Sequence, residues 1–382
     1  VALHIHEWAW LPDGLRARVA VQVDVHGQVL QVRDARPDEP ASPGILLPGL
    51  VNAHTHLELS QLRGAVPGGE GSTAWVEALV DSGLPPDPAA NDDAAREARD
   101  AGARAIIDVS NRGDTEPHMR AAGLSGVMQI ECLGVAPDRW RPRFEAASRR
   151  RGSRQVAIRP TAHSPISCAP ALLLEALRER PLTAPAPTIH CDEDPADRHL
   201  LADRTGPWAG FHERIGHDWR GGLGRGRSGV QVLDDLGLLG PHLGLVHLVA
   251  ADGRDLDRVA RSGATAILCP RSNLHISGRL PDVPGMVRRG IPLAIGTDSL
   301  ASTPDLDLLA EAATLAARFP DVPREHWLTA LTRGGAALLG APGWGALRPG
   351  THPGLLHIDL PTTGDPLAAL LDGTRWPRSF LA

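Results

Sequence analysis

The chain has no lysine and no tyrosine, so all 39 basic side chains in its 382 residues are arginine. Schiff-base chemistry, a phosphate-cradling P-loop lysine and a carbamylated lysine bridging two metal ions are therefore excluded. Cysteine is scarce: the four residues, Cys132, Cys168, Cys191 and Cys269, form no Cys-x-x-Cys pair, which argues against a zinc ribbon or a redox dithiol. Isolated thiols of this kind are expected to be buried in a reducing cytoplasm. No apolar run approaches the roughly 18 residues of a membrane span. The opening Val1-Ala-Leu-His-Ile-His-Glu7 lacks a basic region followed by an apolar core, so neither a membrane partner nor secretion is expected. The missing initial Met leaves room for residues upstream. Positive charge is short as well, with a net charge of −6, so no surface able to neutralise many phosphates is implied and nucleic acid is not an expected partner. The run Arg149-Arg150-Arg151 reads as a solvated helix end.

What is present is ordinary globular material. Hydrophobic residues make up 42% and charged residues 22%, enough to build a core and too apolar for general disorder. The first 45 residues alternate apolar and polar side chains in Val19–Val25 and Gln28–Val32 and then break at Gly and Pro, the pattern of a small antiparallel sheet. Short apolar runs then alternate with Ala/Leu/Arg-rich helical stretches: Ala105–Val109, Gly126–Leu133, Gln155–Pro160, Pro187–His190, Leu243–Leu248, Ala264–Leu268 and Ile291–Gly296. With the run leading into His54 they number eight, and alternating strands and helices predict parallel pairing with right-handed crossovers.

The expected fold is α/β: a (β/α)8 TIM barrel over 46–344, with a small β-sandwich-like domain built from segments 1–45 and 345–382. Ser228-Gly-Val-Gln231 reads as a capping box, and Pro304 as the start of a helix, Asp305–Phe319. Segment 203–229, rich in Gly, Arg and His, is long for a loop and is expected to cover the barrel mouth as a mobile lid. No internal repeat is present. The number of subunits is not written in the sequence, and a homo-oligomer is compatible with it.

The chemistry sits where apolar runs end. His54-Thr-His56 follows Ile45–Val51, His190-Cys-Asp-Glu193 follows Pro187–Ile189, His247 follows Leu243–Val246, and Asp298 follows Ile291–Ile295. Polar groups at the ends of parallel strands fit the C-terminal mouth of a barrel. Among 17 histidines a His-x-His pair arises by accident, and His4-Ile-His6 in the small sheet is read as structural. On a strand, however, the period-2 spacing of His54 and His56 points both rings to one face. A carboxylate ending a buried strand, as Asp298 does, needs a partner, and a cation supplies it. Imidazole and carboxylate suit one Zn²⁺, or a similar first-row ion such as iron, with a position left for water.

These motifs resemble the amidohydrolase superfamily, in the subgroup holding one metal and acting on heterocycles. The resemblance rests on Pro48-Gly-Leu-Val-Asn-Ala-His-Thr-His56, His190-x-x-Glu193, His247, Cys269-Pro-Arg-Ser-Asn273 and Gly296-Thr-Asp-Ser299. It implies His54, His56, His190 and Asp298 as metal ligands, Glu193 as proton shuttle and His247 as the group orienting the attacking water. His163, in Ala162-His-Ser-Pro-Ile166, resembles a substrate-contacting histidine, although Ile166 stands where the family usually has an aromatic. Ser272 and Asn273 are placed with the substrate, and Glu58 either there or in support of a ligand. Gly345-Ala-Leu-Arg-Pro-Gly350 resembles the closing strand of the family's small domain, without the acidic dipeptide that normally follows. Leu300–Glu311 and His56-Leu-Glu-Leu-Ser60 look most like aminodeoxyfutalosine deaminases.

The implied function is hydrolytic deamination of an amino-substituted heterocycle, such as a purine, pyrimidine or nucleoside, by water activated at the metal. Hydrolysis of a ring amide or carbon–halide bond at the same site is the near alternative. A metal-holding barrel that binds a small molecule without turnover is the distant one. Two local patterns are set aside: Gly224-Arg-Gly-Arg-Ser-Gly229 fits G-x-G-x-x-G but follows no strand, and His56-Leu-Glu58 lacks the Pro-Cys-x-x-Cys partner of the other zinc deaminases.

Overall fold

A computed structural model describes residues 1–179, 181–216, 219–361 and 363–381. The N-terminal segment forms β1 (Ala2–Leu11), β2 (Gly14–Val23), β3 (Val29–Asp34) and β4 (Ser42–Pro48). The barrel strands are β5 (Leu50–Thr55), β6 (Ala103–Ser110), β7 (Ser125–Cys132), β8 (Val156–Ala162), β9 (Thr188–Cys191), β10 (Gly244–His247), β11 (Thr265–Leu268) and β12 (Leu293–Ile295). The chain closes with β13 (Leu355–Ile358) and β14 (Arg378–Leu381).

Strands β5 to β8 form one parallel four-stranded sheet and β9 to β12 a second. Two seams join them into a ring of eight. At the β8/β9 seam, His190 N donates to His163 O at 3.0 Å, Thr161 Oγ1 donates to Thr188 O, and Gln129 reaches across to Ala186 and Thr188. At the β12/β5 seam, Thr297 N and Asp298 N both donate to His54 O at 3.0 Å, and Asn52 pairs with both the backbone and the hydroxyl of Thr297. Gly296 permits this approach, because a Cβ there would lie 2.8 Å from the His54 Cβ. The strands read as nearly continuous apolar runs because side chains on both faces are buried, inward against the barrel interior and outward against helices.

The run Ile45–Val51 divides at Gly49. Its first part, β4, joins the small sheet, and only Leu50 onward enters the barrel. The small sheet has the order β14-β13-β4-β1-β2-β3 and is mixed, not purely antiparallel, because β1 runs parallel to β4. Its apolar face closes on itself, with Val19, Val21 and Val29 sharing one cluster with Leu46 and Leu355. The segment Ala346–Gly350 is not a strand: Leu347 is buried in that cluster, and the chain meets β3 through Gly350 N to Val29 O and Val29 N to Thr351 O.

One helix start and one helix cap differ from the sequence expectation. The helix expected from Asp305 begins at Leu308, because the Asp307 side chain accepts from Leu309 N and caps it, while Asp305 is drawn to Arg271. Ser228 caps the helix Gly229–Asp235 by accepting from Gln231 N, but Gln231 reaches back to Arg227 N, one residue short of a capping box. Segment 203–229 is not a bare loop. It contains the helix Pro207–Arg214, which packs over the barrel mouth beside the helix Ser72–Asp81; His217 and Asp218 lie outside the described residues. No described helix is long and apolar enough to cross a membrane.

Candidate metal centre and substrate cavity

At the C-terminal ends of the strands, the side chains singled out in the sequence meet. His54 and His56 leave β5 on the same face, with Nε2 atoms 3.1 Å apart, and His56 Nε2 is 3.4 Å from His190 Nε2 at the end of β9. Asp298 Oδ1, just past β12, is 3.7 and 3.6 Å from the Nε2 atoms of His54 and His56. His247 joins from the end of β10, its ring 5.5 Å from that of His190.

Asp298 and His247 both hold left-handed backbone, with φ of 56° and 76°, a conformation non-glycine residues rarely adopt. Such strain is kept where the surrounding structure over-determines it, here by the backbone bonds of Asp298 to His54 O. The donor set fits one metal ion. Four ligands at ~2.0–2.1 Å in tetrahedral array would stand ~3.3 Å apart, close to the observed nitrogen spacings. Converging ring nitrogens cannot all be satisfied by protons placed between them. Burial and the neighbouring rings also push His54 well below its ordinary pKa, so it presents a lone pair and not a charge.

The residues around this centre set its electrostatics. Glu131, at the end of β7, places Oε1 3.4 Å from His190 Nδ1, which also donates to His163 O at 3.1 Å. Burial works against charge on His190, but Glu131 outweighs it and lifts the imidazole to about 9. Glu193 lies 3.7 Å from His247 Nε2, and burial lifts its carboxyl from 4.5 to about 7. Burial drives His247 the other way, to about 3, so it is neutral at physiological pH. Asn273 Nδ2 donates to His247 Nδ1 at 2.9 Å, which leaves the ring proton on Nε2, facing Glu193. Ser272 Oγ donates to Asp298 Oδ2 at 2.5 Å. Although burial alone would raise Asp298, the neighbouring His56 and the Ser272 hydroxyl hold its carboxyl below the usual range.

A cavity of about 350 Å³ opens from these groups. His163 lines it, with Nδ1 2.6 Å from Ser167 Oγ, and Ile166 packs beside it. Glu58, Ser272 and Asn273, expected at the substrate, do not line it. Ser272 and Asn273 are spent on Asp298 and His247. Glu58 accepts from Ser110 Oγ, Asn111 N and Arg112 N, fastening the loop after β6. That loop turns Asn111 to the cavity, where its Nδ2 donates to Glu131 Oε2 at 3.0 Å.

Glu131 and Asn111 were not identified from sequence. Glu131 carries the signal used for Asp298, a carboxylate closing an apolar run, but the apolar Cys132-Leu133 beyond it hid the strand end. Asp197, also missed, accepts from Glu193 N and from Trp208 Nε1, so it ties the covering helix Pro207–Arg214 to the backbone of Glu193.

A curated relative from Syntrophobacter fumaroxidans, named 5-methylthioadenosine/S-adenosylhomocysteine deaminase, is 29% identical over 91% of this chain and 82% of its own length. The fold matches that of Helicobacter pylori aminofutalosine deaminase, solved with methylthio-coformycin, with a TM-score of 0.83 at 19% identity over 98% of this chain and 97% of that one. It also matches a Xanthomonas campestris adenosine deaminase with bound zinc, with a TM-score of 0.74 at 20% identity over 97% and 88%. The model of the amidohydrolase family matches residues 45–375, and the chain belongs to that family.

Proposed function

We propose that this protein is a metal-dependent hydrolase that deaminates an amino-substituted purine carried on a nucleoside. The observation that carries the reading is the 3.1–3.7 Å approach among His54, His56, His190 and Asp298 at the inner end of a cavity that Glu193 and His247 also line. The names of the relatives support the substrate class. His54, His56, His190 and Asp298 would hold one divalent ion, zinc by its donor set and iron as the other candidate. When bound, that ion supplies a water acidified to a pKa of about 7. The four thiols, all buried and unpaired, support a reducing cytoplasmic setting.

The chain's own groups divide the proton traffic. Glu193, about half protonated at neutral pH, gives a proton to the ring nitrogen beside the amine-bearing carbon, so negative charge does not build there. Asp298, ionised and steadied by Ser272, takes one proton of the attacking water and returns it to the leaving amine, which departs as ammonia, while the proton left on the added hydroxyl passes to Glu193 as the carbonyl forms and restores it. His247, neutral and fixed by Asn273, directs Nε2–H at the water oxygen and orients its lone pair toward the ring. On this reading Ser272 and Asn273 act through Asp298 and His247, while His163 and Asn111, which line the cavity, would hold the ring's far edge.

Glu193→Gln tests the assignment. With metal content unchanged, kcat is expected to fall about 10²- to 10⁴-fold, and activity within about tenfold of the parent would reject the shuttle. Ammonia release, measured on a panel of aminated purines, pyrimidines and nucleosides, separates deamination from ring opening or halide loss. No turnover by metal-loaded protein would favour a binding barrel.

A further inference from the structure

The cavity changes character along its length. Its inner end holds the ionisable groups, and its outer part is walled by the helices Ser72–Asp81 and Pro207–Arg214 through Val76, Leu79, Val80, Phe211 and Ile215. Of the nine large apolar side chains exposed among the described residues, three line this one mouth: Val80, Leu133 and Ile215. Apolar surface gathered at a cavity rim marks a contact site for an apolar ligand group.

No arginine lines the cavity among the described residues, and the chain has no lysine. The nearby guanidinium groups are engaged elsewhere: Arg112 with Asp114, Arg143 with the Glu131 carbonyl, and Arg214 with Glu77. Among the described residues, the charged groups lining the cavity, Glu131, Glu193, Asp298 and the His190 imidazole that Glu131 pairs with, all lie at its inner end, and none belongs to the outer wall. A charged group seated against this outer wall would lose its water and gain no partner.

Resting on the nucleoside reading above, we infer that the outer wall selects the 5′ substituent: it takes an uncharged apolar arm, alkylthio or aryl, and rejects a tail that carries its charge within the cavity. The ring enters first, amine toward the histidines, and the ribose spans the middle. The arm then lies between the two helices, and anything beyond about its length projects into solvent past Val80 and Ile215.

The experiment compares kcat/KM for adenosine, 5′-methylthioadenosine, 5′-phenylthioadenosine and S-adenosylhomocysteine on the metal-loaded full chain. Both apolar thioethers are expected to exceed S-adenosylhomocysteine, whose tail is an amino-acid zwitterion, by at least about 100-fold, and to exceed adenosine as well. Phe211→Ala should raise KM for the phenylthio compound severalfold while leaving kcat in place. S-adenosylhomocysteine within threefold of the methylthio compound, or adenosine equal to both, would overturn the inference while leaving nucleoside deamination standing. Turnover of free aminated bases or triazines with none of the four nucleosides would overturn the proposed function itself, and this inference with it. Titrating the same four compounds into the Glu193→Gln protein reads recognition without turnover, and equal affinities there count against selection by the wall.

Discussion

Replacing Glu131 by Gln isolates what a single charge contributes to the metal centre. The carboxylate lies 3.4 Å from His190 Nδ1 and is itself held by Asn111 Nδ2 at 3.0 Å. Glutamine keeps the length and an acceptor oxygen, so the ring should keep its orientation; what is lost is the negative charge that raises the imidazole's basicity against the cost of burial. Removing such a partner typically weakens metal binding about 10- to 100-fold, or ~1.4–2.8 kcal/mol. The effect should stay within that range, because the His163 carbonyl still accepts from Nδ1 at 3.1 Å. Chelator competition at fixed pH measures the affinity, and circular dichroism confirms the fold. At saturating metal, kcat should fall less than about tenfold. Affinity unchanged within about twofold would refute the argument. So would a fully loaded variant slowed about a thousandfold, since Glu131 would then be touching the reacting atoms.

Two further outcomes follow from the same geometry. Because Glu193 must carry a proton to deliver it, and burial places its carboxyl at about 7, kcat/KM should fall tenfold per pH unit above that point. In Glu193→Gln this descending limb should vanish, and a limb that persists unchanged belongs to another group. Ser272→Ala removes a 2.5 Å charge-assisted bond to Asp298 Oδ2, leaving Ser302 Oγ at 3.5 Å as the remaining hydroxyl. A loss of about 1.5–3 kcal/mol in kcat/KM is expected, read by steady-state kinetics with metal content checked, and an unchanged value would show that Asp298 does not depend on the Ser272 hydroxyl.

Some of the site was open to reading because parallel strands put their C-terminal residues in one place, so a histidine or carboxylate closing an apolar run announces itself. His54, His56, His190, His247 and Asp298 all obey that rule, and so does Glu131, where the apolar Cys132 and Leu133 concealed the ending. Glu58, Ser272 and Asn273 show the opposite limit. Each has the chemistry to touch a substrate, but whether a side chain reaches into the cavity or back to a neighbouring ligand depends on helix and loop placement that no periodicity encodes.

The division of Ile45–Val51 between two sheets is of the same kind. Apolar character marks the residues as buried, but Gly49 decides which core receives them.

By itself, the sequence determined the alternation of strands and helices, the absence of any lysine chemistry, and the residue types gathered at strand ends, because these follow from local pattern and composition. The tertiary structure decided the 3.1–3.7 Å approach of Nε2 and Oδ1 atoms, the burial that moves Glu193 to about 7 and His247 to about 3, and the apolar wall facing the mouth. Those properties arise from groups distant along the chain being desolvated together, and desolvation is a property of the packed molecule, not of any one segment.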